Sequence, residues 1–192
     1  MSDAARDGSS DPRRDADDGL DSELIARWKS GDERAASALV ARHASALARF
    51  AVAQGERNEV DELVQDTFVR AFNSLDGFRG ESSFRTWLFT IERRLLVDRR
   101  RAEKRRRDRV EIQEDDASTE YDALDGVVAN ETERRMRQAM SRLSPTQKEV
   151  FTLRVAEGLS YKEIAAAVGT TEGAARVHYH NAMRAVKEFL DE

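Results

Sequence analysis

Apolar residues recur at three- and four-residue steps through most of the chain, the spacing of amphipathic helices. Leu24, Ile25 and Trp28 mark a first short helix that Ser22 can cap, and Gly31 breaks it before Asp32, which can cap a second. In that long second helix Ala36, Leu39, Val40, His43, Leu47 and Phe50 fall on one face. A third, roughly residues 58 to 75, has two faces: Val60, Leu63, Val64, Thr67, Phe68, Ala71, Phe72 and Leu75 for a core, and Glu62, Gln65, Asp66 and Val69 opposite, where a partner can dock. Beyond Gly77 and Gly80, Ser82 can cap a fourth helix with Phe84, Trp87, Leu88, Ile91 and Leu95 at core spacing. It runs on into arginines.

The C-terminal part opens with a helix holding Met136, Met140 and Leu143. Ser144-Pro145-Thr146-Gln147 follows, a capping box with proline at the first helical position, and Ser160-Tyr161-Lys162-Glu163 is a second box after Gly158. The second box starts a short helix with Ile164, Ala165 and Val168, and Gly169 then turns the chain into a helix that begins near Thr170 or Thr171 and runs to about Leu190. Two helices meeting at a tight glycine turn predict a helix-turn-helix. The expected fold is all-α, two small helical domains joined by a flexible acidic linker.

Composition supports this division. Two prolines and ten glycines in 192 residues, with 36% charged and 40% hydrophobic residues, favour helical cores over a β-sandwich. Residues 1–21 are rich in Asp, Arg, Ser and Gly and predict a disordered tail. Between Glu111 and Glu133 there are nine acidic residues and no basic ones, the composition of a solvated linker. The domain expectation is therefore a helical bundle over 22–109, a linker over 110–133 and a second unit over 134–192. No run of about 18 apolar residues could span a bilayer and no signal peptide is evident, so a cytoplasmic protein without membrane insertion is expected.

The net charge of −5 conceals segregation. From Arg85 to Arg109 there are eleven basic residues against four acidic ones, a balance that favours an anionic partner. Aromatics interleave with these cations at Phe84, Trp87 and Phe89. That combination suits melting or single-stranded DNA, because rings stack on unpaired bases while cations hold the backbone. Trp87 also fits the core spacing of its helix. The candidates for this contact are Phe84, Arg85, Trp87, Arg93, Arg94, Arg99, Arg100 and Arg101. In the helix-turn-helix the second helix should enter the major groove. Arg176 is the first candidate there, since guanidinium bridges guanine O6 and N7, followed by Thr171, Glu172, His178, Tyr179, His180 and Arg184. A plain helical hairpin with a solvated charged face is the alternative for this segment.

Catalytic chemistry finds no support. There is no nucleophile elbow and no phosphate-binding glycine loop, zero cysteines exclude disulfides and thiolate metal sites, and the three histidines lack metal-ligand spacing. No cofactor, metal site or enzyme activity is expected.

Three segments carry a family resemblance: Leu24 to Gly31, DELVQDTFVRAFNSLDGFRGESSFRTWLFTIERRLLVDRRR from Asp61 to Arg101, and LSPTQKEVFTLRVAEGLSYKEIAAAVGTTEGAARVHYHNAMRAVKEFL from Leu143 to Leu190. In this order they resemble extracytoplasmic-function (ECF) sigma factors of bacterial RNA polymerase. The resemblance implies a non-catalytic specificity subunit whose first domain is region two and whose second is region four. It implies that core RNA polymerase docks on Asp61, Glu62, Gln65 and Asp66, and that the segment after Phe78-Arg79-Gly80 recognises and melts the −10 element, capturing a non-template base. The last helix then reads the −35 element, with Arg176 at a usually basic position, and promoter DNA and an anti-sigma protein become expected partners. The chain departs from the family pattern at Glu92-Arg93-Arg94, where relatives often have Ala-x-Asn, and at His178 to Asn181 in the last helix.

Two rivals predict different behaviour. A free-standing regulator that senses a ligand or dimerises through its N-terminal domain would bind duplex DNA by itself, and an adaptor or anti-sigma protein would bind polymerase or sigma without giving a specific transcript. Charge segregation adds a regulatory expectation, that the acidic linker folds back on the arginine run, since opposite charges attract over about 8 Å at physiological salt. Neutralising its acids to Asn and Gln should raise salt-sensitive DNA binding by the free protein; unchanged binding contradicts it.

Overall fold

The computed structural model describes residues 12–110 and 131–191. Among the described residues the chain is all helical: α1 (Pro12–Lys29), α2 (Glu33–Ala53), α3 (Val60–Asn73), a 3-10 turn (Leu75–Gly77), α4 (Phe84–Val110), α5 (Glu131–Ser141), α6 (Pro145–Val155), α7 (Tyr161–Val168) and α8 (Glu172–Asp191).

Local chemistry sets most of these boundaries. Asp32 caps α2 by accepting from the Arg34 amide at 3.0 Å. Both serine boxes form: Ser144 with Gln147 opens α6 and Ser160 with Glu163 opens α7. Gly169 ends α7 in the left-handed region at φ 73°, where a side chain would be strained. The fourth helix differs in detail from expectation. Its start is held by Ser83, whose Oγ accepts from the Thr86 amide at 3.1 Å, because Ser82 lies one residue too far from the first turn.

The first helix is longer than its apolar pattern predicts. It starts at Pro12 instead of Ser22, so residues 12–21, expected in a disordered tail, are helical. The cause is tertiary. Arg42 on α2 donates to Asp21 at 2.8 Å and to Asp17 at 3.0 Å, and His43 Nε2 lies 2.8 Å from the buried carboxylate of Asp21. Side chains that bury too little surface to fold alone are thus held by α2.

α1 to α4 form a first bundle around Leu39, Leu47, Phe50, Leu63, Leu88 and Phe89, all fully buried. Phe50 meets Phe89 edge to face at 5.4 Å, locking α2 to α4. α5 to α8 form the second unit, with a satellite cluster of Ala139, Leu143, Phe151, Ala182 and Val186. Instead of standing apart, the two units share one apolar cluster. Val150, Leu153, Leu159, Tyr161 and Ile164 of the second unit join Phe84, Leu88 and Phe89 of the first. The expected linker, 110–133, lies outside the described residues over 111–130.

Replacing Phe50 by Ala removes the ring that joins α2 to α4. It should lower unfolding free energy by about 3–5 kcal/mol in urea denaturation; a loss below about 1 kcal/mol contradicts this packing.

Candidate nucleic-acid and polymerase interfaces

The helix-turn-helix forms as the sequence implies. α7 packs under α8, and the turn between them, Gly169 to Thr171, aims the N-terminus of α8 outward. Thr171 Oγ1 accepts from the Ala174 amide at 3.2 Å, so this hydroxyl serves as a cap. Glu172, Arg176, His180 and Arg184 follow one another at four-residue steps; Arg176 is half-buried and the other three are exposed. Arg176 lies over the Tyr161 ring at 4.5 Å and pairs with Glu172 at 3.3 Å, which fixes its guanidinium near the start of the helix. His178 and Tyr179 sit partly inside, Tyr179 edge-on to Tyr161 at 5.8 Å. Tyr179 packs against the core, as its contact with Tyr161 shows.

In the first unit the aromatic candidates separate. Phe84 is 2% exposed, wedged between His43 and Phe78, and its role is core. Its ring is closed off from solvent. Trp87 is half-buried and tilted against Phe78 at 5.0 Å. With Gly77, Phe78, Arg79, Glu81 and Ser82 it lines a cavity of about 390 Å³, open at the tip of the loop before α4. Phe78 and Arg79 were absent from the sequence candidates, although an aromatic and a cation just before Gly80, at φ 71°, are a signal for a built loop. Arg94 and Arg101 are exposed on α4, while Arg100 donates to the Gln54 carbonyl at 2.6 Å.

The acidic face of α3 is exposed at Asp61, Glu62, Gln65 and Val69, with Asp66 half-buried. Arg99 reaches across from α4 to Asp66 and Glu59 at 3.0 Å each and to Glu62 at 3.8 Å. Arg99 therefore belongs to the acidic face, apart from the arginines turned to the other side of α4.

Comparison with known proteins shows the family. The family profile described as Sigma-70 region 2 matches residues 39–106, and that described as Sigma-70, region 4 matches residues 133–186. The ECF RNA polymerase sigma-E factor of Haemophilus influenzae is 31% identical over 166 residues, covering 81% of this chain and 87% of that protein. The RNA polymerase sigma factor NccH of Alcaligenes xylosoxydans xylosoxydans is 32% identical over 160 residues, covering 81% and 86%. This chain is an ECF sigma factor. Among solved structures, CnrH in complex with the cytosolic domain of CnrY superposes with a TM-score of 0.65 at 30% identity, covering 90% of this chain and 97% of that one. The sigma factor RpoE of Bartonella quintana in complex with the anti-sigma factor NepR gives 0.66 at 26%, covering 81% and 96%. As a sigma factor the protein directs RNA polymerase to promoters for transcription initiation, and its partners are core polymerase and promoter DNA. The free-standing regulator and the adaptor are thereby set aside.

Region two and region four of this sigma factor meet along a charged seam that local sequence patterns could not show. Glu157, at the end of α6, has a fully buried side chain. Its Oε1 accepts from Arg49 Nε and its Oε2 from Arg49 Nη2, each at 3.0 Å, and Oε2 also accepts from Arg85. The Glu157 hydrogen bonds hold the Arg49 guanidinium above its ordinary pKa, against the opposing effect of burial. Arg85 donates a further bond to the Glu157 carbonyl at 3.0 Å, and Arg93 donates to Glu149 at 2.8 Å. Lys148 of α6 has its ammonium pKa lowered, first by burial and then by the charges of Arg100 and Arg57.

Glu92 is the misfit. It is 0% exposed, neither of its carboxyl oxygens has a hydrogen-bond partner, and burial, reinforced by the charge of Glu157, pushes its pKa from 4.5 up to about 9. The packing around it is therefore favoured by protonation. This contribution is complete below pH 4.5, declines as pH rises, and is gone above about 9. At pH 7 the ionisation forgone weakens the packing by about 3 kcal/mol relative to acid conditions. Thermal midpoints of the wild type should fall between pH 5 and 9 more steeply than those of Glu92→Gln, which stays neutral; parallel profiles contradict the burial of an uncharged Glu92.

Proposed function

We propose that this sigma factor binds core RNA polymerase through the outer face of α3, engages and melts the −10 element with the loop at 77–82 and α4, and reads the −35 element with α8. It acts in the cytoplasm as a non-catalytic subunit. The observation that supports the reading most directly is the stripe Glu172, Arg176, His180 and Arg184, which follows the Gly169 turn at the start of the second helix of the motif. That is the part of a helix-turn-helix which reaches base edges. Arg176 takes a base, with Glu172 and Tyr161 fixing its direction, and His180 and Arg184 stand where phosphates flank the groove. His178 and Tyr179 shape the helix from behind.

On region two, Asp61, Glu62, Gln65 and Asp66 present an acidic and polar patch to a basic surface of polymerase. Trp87, with Phe78, lines the cavity that receives an unpaired base. Arg85, Arg93, Arg94, Arg100 and Arg101 hold the backbone of the opening strands, as cations with stacking rings do for single-stranded DNA. The structures of RpoE with NepR and of CnrH with CnrY support an anti-sigma protein as a further partner of this chain.

Substitution separates these roles. Gln65→Arg or Asp66→Arg should weaken the complex with core polymerase more than tenfold in a binding titration, leaving duplex contacts of region four untouched. Arg176→Ala should weaken holoenzyme on promoter DNA by roughly 1–3 kcal/mol and relax base preference at one −35 position. Core binding unchanged by both α3 variants, or a promoter preference indifferent to Arg176, contradicts the assignment.

A further inference from the structure

Lysine is scarce in this chain: of its 32 basic residues only Lys29, Lys104, Lys148, Lys162 and Lys187 are lysines. Lys148, in the first turn of α6, is half-buried, and the other four are exposed. Among the described residues no carboxylate pairs with its ammonium. The adjacent Glu149 is turned to Arg93 at 2.8 Å, and Gln147 to the Ser144 amide at 3.0 Å. What faces Lys148 instead is positive charge, from Arg100 of α4 and Arg57 of the loop before α3. These two arginines line a cavity of about 300 Å³ with Gln54, Leu96, Glu56 and Glu103. The acids of that cavity are engaged elsewhere: Glu56 Oε1 accepts from the Arg57 amide at 3.0 Å, and Glu103 pairs with Arg107 at 2.6 Å. Arg100 itself donates to a neutral group, the Gln54 carbonyl, at 2.6 Å. We propose that Lys148 is a site of acylation by acyl phosphates, with Arg57 and Arg100 holding the phosphate while the lysine amine attacks the carbonyl carbon.

An ordinary lysine, with a pKa of about 10.4, is almost wholly protonated at neutral pH and is then a poor nucleophile. Burial disfavours the ammonium of Lys148, and the charges of Arg100 and Arg57 act in the same direction, so its pKa lies below the ordinary value. More of the free amine is therefore present at neutral pH. The cations that repel the ammonium attract an anion, and guanidinium presents parallel N–H donors that match phosphate oxygens. An acyl phosphate carries that anion and an activated carbonyl in one small molecule. The Nζ lone pair forms the new C–N bond, and the C–O bond to phosphate breaks with its electron pair leaving on the phosphate. The proton lost by the amine goes to the released phosphate, and no oxidant or reductant enters. The product is a neutral amide, which ends the repulsion from Arg100 and Arg57. None of this requires Arg100 to bind DNA; it requires only that two guanidiniums stand beside Lys148.

The full chain, incubated with acetyl phosphate and mapped by peptide mass spectrometry over a range of pH, provides the test. At neutral pH Lys148 should be acetylated several-fold faster than Lys29, Lys104, Lys162 or Lys187, although it is the least exposed of the five. Its rate should level off below the pH range in which an ordinary lysine loses its proton. The double variant Arg57→Gln, Arg100→Gln should slow acetylation of Lys148 by acetyl phosphate about tenfold. An uncharged succinimidyl ester of acetate should be slowed less, because it has no phosphate for the arginines to hold. Acetylation of Lys148 no faster than that of the four exposed lysines overturns the proposal, as does a rate on acetyl phosphate that the double variant leaves unchanged. Should the double variant disturb the fold, the wild-type pH profile decides: a Lys148 rate still climbing through the range of an ordinary lysine also overturns it.

Discussion

The edge-to-face contact of Phe50 with Phe89 fixes where α4 lies on α2, and the remaining surfaces take their positions from α4. That helix is 27 residues long and has to satisfy several neighbours around its circumference. Leu88, Phe89, Leu95 and Leu96 bury one side in the bundle. Arg99 leans over the acidic face of α3, Arg85 and Arg93 face region four, and Arg94 and Arg101 remain in solvent. A rotation of α4 by one residue, about 100°, would exchange these roles. The rigid aromatic pair in the core is what prevents it.

The seam between the regions illustrates how charge and apolar burial work against each other in one interface. Removing carboxylates and guanidiniums from water is expensive, and mutual pairing does little more than offset it. The Glu157 carboxylate meets that cost with three hydrogen bonds from two arginines, whereas Glu92 meets it by remaining protonated. The apolar cluster that crosses the seam provides attraction without direction, and the ion pairs provide direction. Such an interface suits a subunit that must serve both polymerase and promoter DNA. It brings the two regions into one register.

Features that depend on neighbours in sequence were legible there. The caps at Asp32, Ser144 and Ser160 and the turn at Gly169 each need only three or four adjacent residues, and the core spacing of α2 to α4 needs only a periodic count. Features that depend on distant partners were hidden. Nothing local in residues 12–21 calls for a helix, since Asp17 and Asp21 are held by Arg42 and His43 more than twenty residues further on. Phe84 satisfies both a core spacing and a stacking pattern, and only its packing between His43 and Phe78 decides for the core. Arg99 reads as one more cation in a basic run until Glu59 and Asp66, 40 and 33 residues earlier, are seen to hold it. On α8 the pattern admitted seven candidates, and the contact of Tyr179 with Tyr161, eighteen residues earlier, was not legible in it.

On the proposed reading, one chain brings polymerase to DNA through two separate promoter contacts. In-vitro transcription tests it most directly, with purified chain, bacterial core polymerase and a library of promoter fragments, against the same mixture without the chain. Transcripts that start at defined positions and share two upstream elements, present only with the chain, are the predicted result. An absence of such starts, together with tight duplex binding by the chain alone, would contradict the claim and return the protein to the class of free-standing regulators.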